Sequence, residues 1–143
     1  MDEPQDSTDE ELHRILDDSR VAAVVGASAR PERPSNGVIR YLLRNSRLRI
    51  FPVNPHHAEV LGMECYPSLH HVPERPDLVV VFRRPQFVRE VVEDAVAKGA
   101  DVIWMQLGIR NAVAAQTARE AGLDVVQDRC LAIEHRRLLG PQR

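Results

Sequence analysis

The chain has 143 residues, 43% of them hydrophobic and 28% charged, enough to bury the core of one ordinary globular domain. No apolar run reaches the length of a membrane span. The acidic start MDEPQDSTDEEL is not a secretory leader, so a soluble, cytoplasmic protein is expected. The net charge of −2 is unevenly spread, with eight acids against one base in residues 1–18 and eighteen bases against thirteen acids in residues 19–143. With only six aromatic residues, this mildly basic body lacks the dense basic stripe and interleaved aromatics of a nucleic-acid binder. It suits a small anionic ligand better. Lys98 is the sole lysine, which limits Schiff-base chemistry. Cys65 and Cys130 are expected to be free thiols in a reducing compartment.

Apolar runs alternate with amphipathic stretches along the chain. TDEELHRILDDS predicts a helix, with Thr8 and Glu11 at capping-box spacing and Leu12, Ile15 and Leu16 on one face. RVAAVVG predicts a short, wholly apolar strand. SNGVIRYLLRNS predicts a helix capped by Ser35, and RLRIFPVNP the next strand. EVLGMECYPSLHHV reads as a turn of helix, a small strand around Cys65, and a loop. DLVVVFRRP is a third long strand. PQFVREVVEDAVAKGA is a helix with Pro85 in its first turn and Gly99 at its end. DVIWMQLG is a fourth strand with Trp104 in its core. NAVAAQTAREAG is a helix capped by Asn111 and closed by Gly122. LDVVQDRC is a fifth strand, and LAIEHRRLLG a last helix.

Short, β-branched strands alternating with helices are the pattern of strands buried on both faces. The expected fold is a doubly wound, Rossmann-like α/β domain, with a five-stranded, mainly parallel sheet and helices on both faces. Residues 1–8 read as a flexible acidic N-terminal extension and residues 9–143 as the single domain. Ligands of such sheets bind at the carboxyl ends of the strands, where strand order switches. The segments that matter are therefore Gly26–Ser35, Asn54–His57, Phe82–Pro85, Gln106–Arg110 and Gln127–Cys130.

VVGASARPERPS, residues 24–35, ends a strand on Gly26 and leads into a helix. Gly26 lets backbone approach a ligand, and Ala27 and Ser28 continue the turn. The helix N-terminus favours an anion, and Arg30 and Arg33 add charge. The Gly-x-Gly-x-x-Gly fingerprint is absent. The second strand ends in PVNPHH, with no carboxylate to hold ribose hydroxyls. Asn54, Pro55 and His57 would instead tolerate a phosphorylated ribose, which leaves coenzyme A and NADP as candidates.

VVGAS, PVNP, LG, YPSL, DLVVVFRRP, VIWMQLGI and DRC occur in that order. In this the chain resembles the small stand-alone CoA-binding proteins. It is also similar to the N-terminal CoA-binding domain of succinyl-CoA synthetase α subunits and acyl-CoA synthetases, over roughly residues 10–140. The resemblance implies that Gly26, Ala27 and Ser28 contact the CoA phosphates and that Asn54 and Pro55 lie by the adenosine. It implies that Phe82 and Arg83 run beside the pantetheine arm, and that Gln106 to Ile109, with Gly108 between, lie nearest the thiol. The synthetases carry a lysine where this chain has His57, and a small residue or proline where it has Arg83 and Arg84. They also need a ligase domain with a phosphorylated histidine and an ATP-grasp domain. With room for neither in 143 residues, the expectation is non-catalytic binding of CoA or an acyl-CoA, with no nucleic acid and no membrane.

Two alternatives stay open: an NAD(P)-binding oxidoreductase or redox sensor, and the CoA-binding subunit of a multi-protein synthetase. Cys130, beside Arg129, is either a partner for the CoA thiol or a small buried hydrophobe. His56–His57 and His70–His71 lack metal-ligand spacing, so no metal is expected. Gln106 either faces the ligand or caps a helix. Gly26→Val is expected to abolish binding with the fold intact.

Overall fold

The computed structural model describes residues 6–140. Five parallel strands form the sheet: β1 (Val21–Val25), β2 (Arg49–Val53), β5 (Leu78–Val81), β6 (Val102–Met105) and β7 (Asp124–Val126), in the order β2-β1-β5-β6-β7. Between them lies a hairpin of β3 (Glu59–Val60) and β4 (Met63–Glu64). The helices are α1 (Asp9–Asp18), α2 (Pro34–Asn45), α3 (Val88–Lys98), α4 (Ala112–Glu120) and α5 (Leu131–Leu138). Register runs Val21 against Arg49 through Val25 against Val53 on one side of β1, and Ala22 against Leu78 through Val25 against Val81 on the other. The five-stranded, doubly wound α/β fold read from the sequence is the fold observed.

Successive side chains of a strand point to opposite faces, and the central strands are apolar at every position for that reason. Ala23, Val25, Val79, Val81, Ile103 and Met105 face α3 and α4, where Val88, Val92, Ala95 and Ala115 are wholly buried. Ala22, Val24, Leu78, Val80, Trp104 and Val126 face α1, α2 and α5, meeting Leu12, Ile39, Leu42 and Leu131. Trp104 is fully buried and its Nε1 donates to the Arg129 carbonyl at 2.8 Å, as a buried indole requires.

Local chemistry sets the element ends. Thr8 Oγ1 accepts from the Glu11 amide and starts α1. Asn111 Oδ1 accepts from the Ala114 amide at 2.9 Å and starts α4. Gly99 closes α3 in the left-handed region. Two local expectations are corrected. Ser35 does not cap α2: Arg33 is the N-cap, without a side-chain bond, and Pro34 takes the first helical position, where its missing N–H costs nothing. The stretch expected as a turn of helix is the β3–β4 hairpin. Leu61 and Gly62 at its tip both have positive φ, the conformation of a tight two-residue turn. Of the extension read over residues 1–8, residues 1–5 lie outside the described residues. Asp6 pairs with Arg110 at 3.1 Å, and Ser7 Oγ donates to the Val125 carbonyl at 3.2 Å.

Candidate ligand-binding cleft

Strand order reverses between β1 and β5, so the loops after them diverge and leave a crevice. Gly26, at φ +91°, ends β1 there. A Cβ on it would stand 2.5 Å from the Phe82 carbonyl oxygen, so only glycine lets the chain turn this close to β5. The expectation that Gly26→Val leaves the fold intact is therefore corrected: the side chain would strike backbone of the neighbouring strand.

The turn after Gly26 is closed by its own hydrogen bonds. The Gly26 and Ala27 amides donate to the Val53 carbonyl at 2.9 and 3.3 Å. The Ser28 amide donates to Ser35 Oγ at 3.0 Å, and Ser28 Oγ accepts from the Arg30 amide at 3.1 Å. Asn36 Nδ2 donates to the Ser28 carbonyl at 2.9 Å. Asn54 Nδ2 donates to the Ala27 carbonyl at 2.8 Å, while its Oδ1 accepts from the His56 amide at 2.8 Å. Asn54 thus ties the end of β2 to the turn after β1.

A cleft of about 930 Å³ follows the carboxyl edge from β2 to β7. Gly26, Ser28, Arg30 and Arg33 line it from the first loop, and Asn54 and His57 from the second. Phe82 and Arg83 line it from the third, with Gln106 and Cys130 beyond. A second hollow of about 330 Å³ adjoins it through Gly26, Asn54, His56 and Arg83, and Pro55 faces this one. Ala27 lines neither, being wholly buried. Gly108 lines neither as well; its amide donates to Asp128 Oδ1 at 2.6 Å. Residues that sequence reasoning did not place at the site are Val38 and Ile133. Ile133 lies one helical turn after Cys130, a spacing that could have signalled it.

The lining is cationic on one side. Arg30, Arg33, Arg83 and Arg84 face the cleft with His56 and His57, and no carboxylate lines it among the described residues. Arg30 has Glu32 at 3.5 Å, and the Arg83 guanidinium lies 4.7 Å from the Phe87 ring centre. Gln106 is buried and does cap a helix, but not the one that follows it: Oε1 accepts from the Leu131 amide at 2.9 Å, at the start of α5. Cys130 is half-buried at the N-cap of α5. Arg129, expected to favour its thiolate, is paired with Glu134 at 2.9 Å. Cys65 is buried away from the cleft, and desolvation pushes its thiol pKa up. His70 pairs with Asp94 and His71 with Ser68. Among the described residues no cluster could hold a metal.

Asp128 holds the far side of the cleft together. It sits at φ +58° and accepts from Gly108 while facing Arg110 at 3.4 Å. The Gly108 amide, and then the Arg110 guanidinium, lower its carboxyl pKa.

Known proteins are similar to this chain in sequence and fold. The uncharacterized protein YneT of Bacillus subtilis (strain 168) is 36% identical over 131 residues, which is 92% of this chain and 96% of its own. The ADP-forming acetate–CoA ligase I of Archaeoglobus fulgidus is 32% identical over 124 residues; these are 80% of this chain but 18% of the ligase. A hypothetical protein from Pyrococcus horikoshii OT3 superposes with a TM-score of 0.89 at 43% identity, covering 98% of this chain and 100% of that one. The family described as a CoA binding domain matches residues 20–136, from the start of β1 into the last turn of α5. Its match thus takes in every strand and loop that shapes the cleft, and the chain belongs to that CoA-binding-domain family.

Proposed function

We propose that the protein binds coenzyme A non-catalytically in the cleft at the carboxyl edge of the sheet. The observation that carries this reading is the charge of the lining: four arginines and two histidines with no carboxylate among the described residues. A diphosphate and a 3′-phosphate need cations of this kind, and guanidinium meets phosphate in a paired, directional way. Arg30 and Arg33 stand at the entrance to α2, whose positive dipole end also favours an anion. The end of β2 offers Asn54, His56 and His57 to the ribose side. An NAD-binding site of this fold would carry a carboxylate there. The lining supplies charge, hydrogen bonds and apolar surface, the means of holding a ligand.

Calorimetric titration with CoA, dephospho-CoA, NAD and NADP under reducing conditions tests the reading. Micromolar or tighter CoA binding, weakened when the 3′-phosphate is missing, is the expected result. Binding of NAD or NADP without response to CoA refutes it. Copurification with an ATP-grasp protein would extend the reading to a subunit of a synthetase.

A further inference from the structure

The lining changes character along the sheet edge. Toward β2, β1 and β5 it carries the histidines, Asn54 and the arginines, with Val38 and Phe82 between them; toward β6 and β7 it is Leu107, Ile109, Cys130 and Ile133, with Gln106. Leu107 is 67% exposed and Ile133 60% exposed, among the largest exposures of any sizeable apolar side chain described. They come from different elements, the loop after β6 and the first turn of α5, yet line one cleft. A phosphate has no use for such a surface, and water is a poor neighbour for it.

Gln106 supplies a second, independent observation at the same place. Its residue exposure is 4%, and its Oε1 is taken by the Leu131 amide. That bond fixes the carboxamide, so Nε2 is the end left for the cleft. Among the described residues no acceptor meets it. Nε2 is open to the cleft, where a ligand carbonyl can accept from it.

We propose that the β6–β7 end of the cleft is an acyl subsite, so that the ligand is an aliphatic acyl-CoA thioester in preference to free CoA. Gln106 Nε2 donates to the thioester carbonyl, and Leu107 and Ile133 cover the chain. This rests on the CoA reading above and names the ligand class for that site.

The test is calorimetry with CoA, acetyl-CoA, octanoyl-CoA and S-octyl-CoA. A fully buried methylene multiplies affinity by about four, and a half-buried one by about two. Octanoyl-CoA is therefore expected to bind at least about tenfold tighter than acetyl-CoA. S-octyl-CoA keeps the chain but lacks the carbonyl, and is expected to bind about threefold to tenfold weaker than octanoyl-CoA. Leu107→Ser with Ile133→Ser changes two exposed residues, so the fold is retained. The pair is expected to bring octanoyl-CoA within about twofold of acetyl-CoA. Equal affinities for CoA and octanoyl-CoA overturn the subsite while the CoA reading stands; no response to CoA or any thioester overturns both. A chain-length preference that survives the double substitution overturns its placement. Conversion of a dimer to a monomer by the pair, with ligand preference unchanged, would make the patch a contact between copies and overturn the proposal.

Discussion

Gly26→Ala isolates the close approach on which the cleft depends. The added Cβ would meet the Phe82 carbonyl oxygen at 2.5 Å and the Phe82 carbonyl carbon at 3.0 Å. Both are backbone atoms of the chain leaving β5, so no rotamer change relieves the contact. The residue is also at φ +91°, where an L side chain costs about 1–2 kcal/mol. Forcing a methyl into close-packed surroundings adds about 1–3 kcal/mol. Together these give about 2–5 kcal/mol, a large part of the roughly 5–15 kcal/mol that holds a domain folded. For a chain of this size the melting temperature should fall by about 8–20 °C. Thermal unfolding followed by fluorescence of the single, fully buried Trp104 reads this directly. A melting temperature within 2 °C of wild type would refute the packing argument. Lost CoA binding in this variant reports a displaced β1–β5 crevice, and so cannot by itself identify a phosphate contact.

Arg30→Ala and Arg33→Ala serve that purpose, because both side chains are exposed at the cleft and no core contact is lost. Each is expected to weaken CoA binding by about tenfold without changing the melting temperature, and unchanged affinity in both would remove them from the site. Asp128→Asn should lower the melting temperature at pH 7 by weakening the bond from Gly108. The folded carboxyl has a lowered pKa, so its contribution is present above its ordinary value near 4 and is lost as pH falls. Wild type and variant should then converge in acid, and a gap that widens below pH 4 would contradict this. Glu134→Gln breaks a buried carboxylate that holds both Arg129 and Arg137 at 2.9 Å. Arg137 continues to Asp9 at 2.7 Å, joining α5 to α1. A loss of about 1–3 kcal/mol in urea unfolding is expected, and none would show the chain of ion pairs to be ornamental.

The elements legible from the sequence were those whose cause is local. VAAVV, LVVV and VIWM are apolar at every position because both faces of the sheet are covered, and such runs announce buried parallel strands. Asn111 and Thr8 capped the helices their spacing indicated. The hairpin at Leu61–Gly62 was missed because leucine is a poor residue for positive φ, and the usual Asn-Gly signature is lacking. Ser35 was misread because its hydroxyl is drawn to the Ser28 amide, a partner seven residues away. At the cleft, topology brought Gly26, Arg30, Asn54, Phe82, Gln106 and Cys130 together from five loops, as the fold class implied. Ala27 and Gly108 do not line the cleft, for reasons no short pattern carries: one packs into the core beneath the turn, and the other's amide is engaged by Asp128. The capping of α5 by Gln106 spans twenty-five residues and needed the folded chain.

The self-closed turn after Gly26 has a kinetic consequence. Its Ser28, Ser35, Asn36 and Asn54 bonds are all made within the chain, so no loop has to fold before an anion can dock. The encounter step then sets the association rate, and the arginines at the mouth steer it. Added salt should slow arrival far more than it hastens departure. A stopped-flow trace should remain a single exponential whose rate rises linearly with ligand concentration.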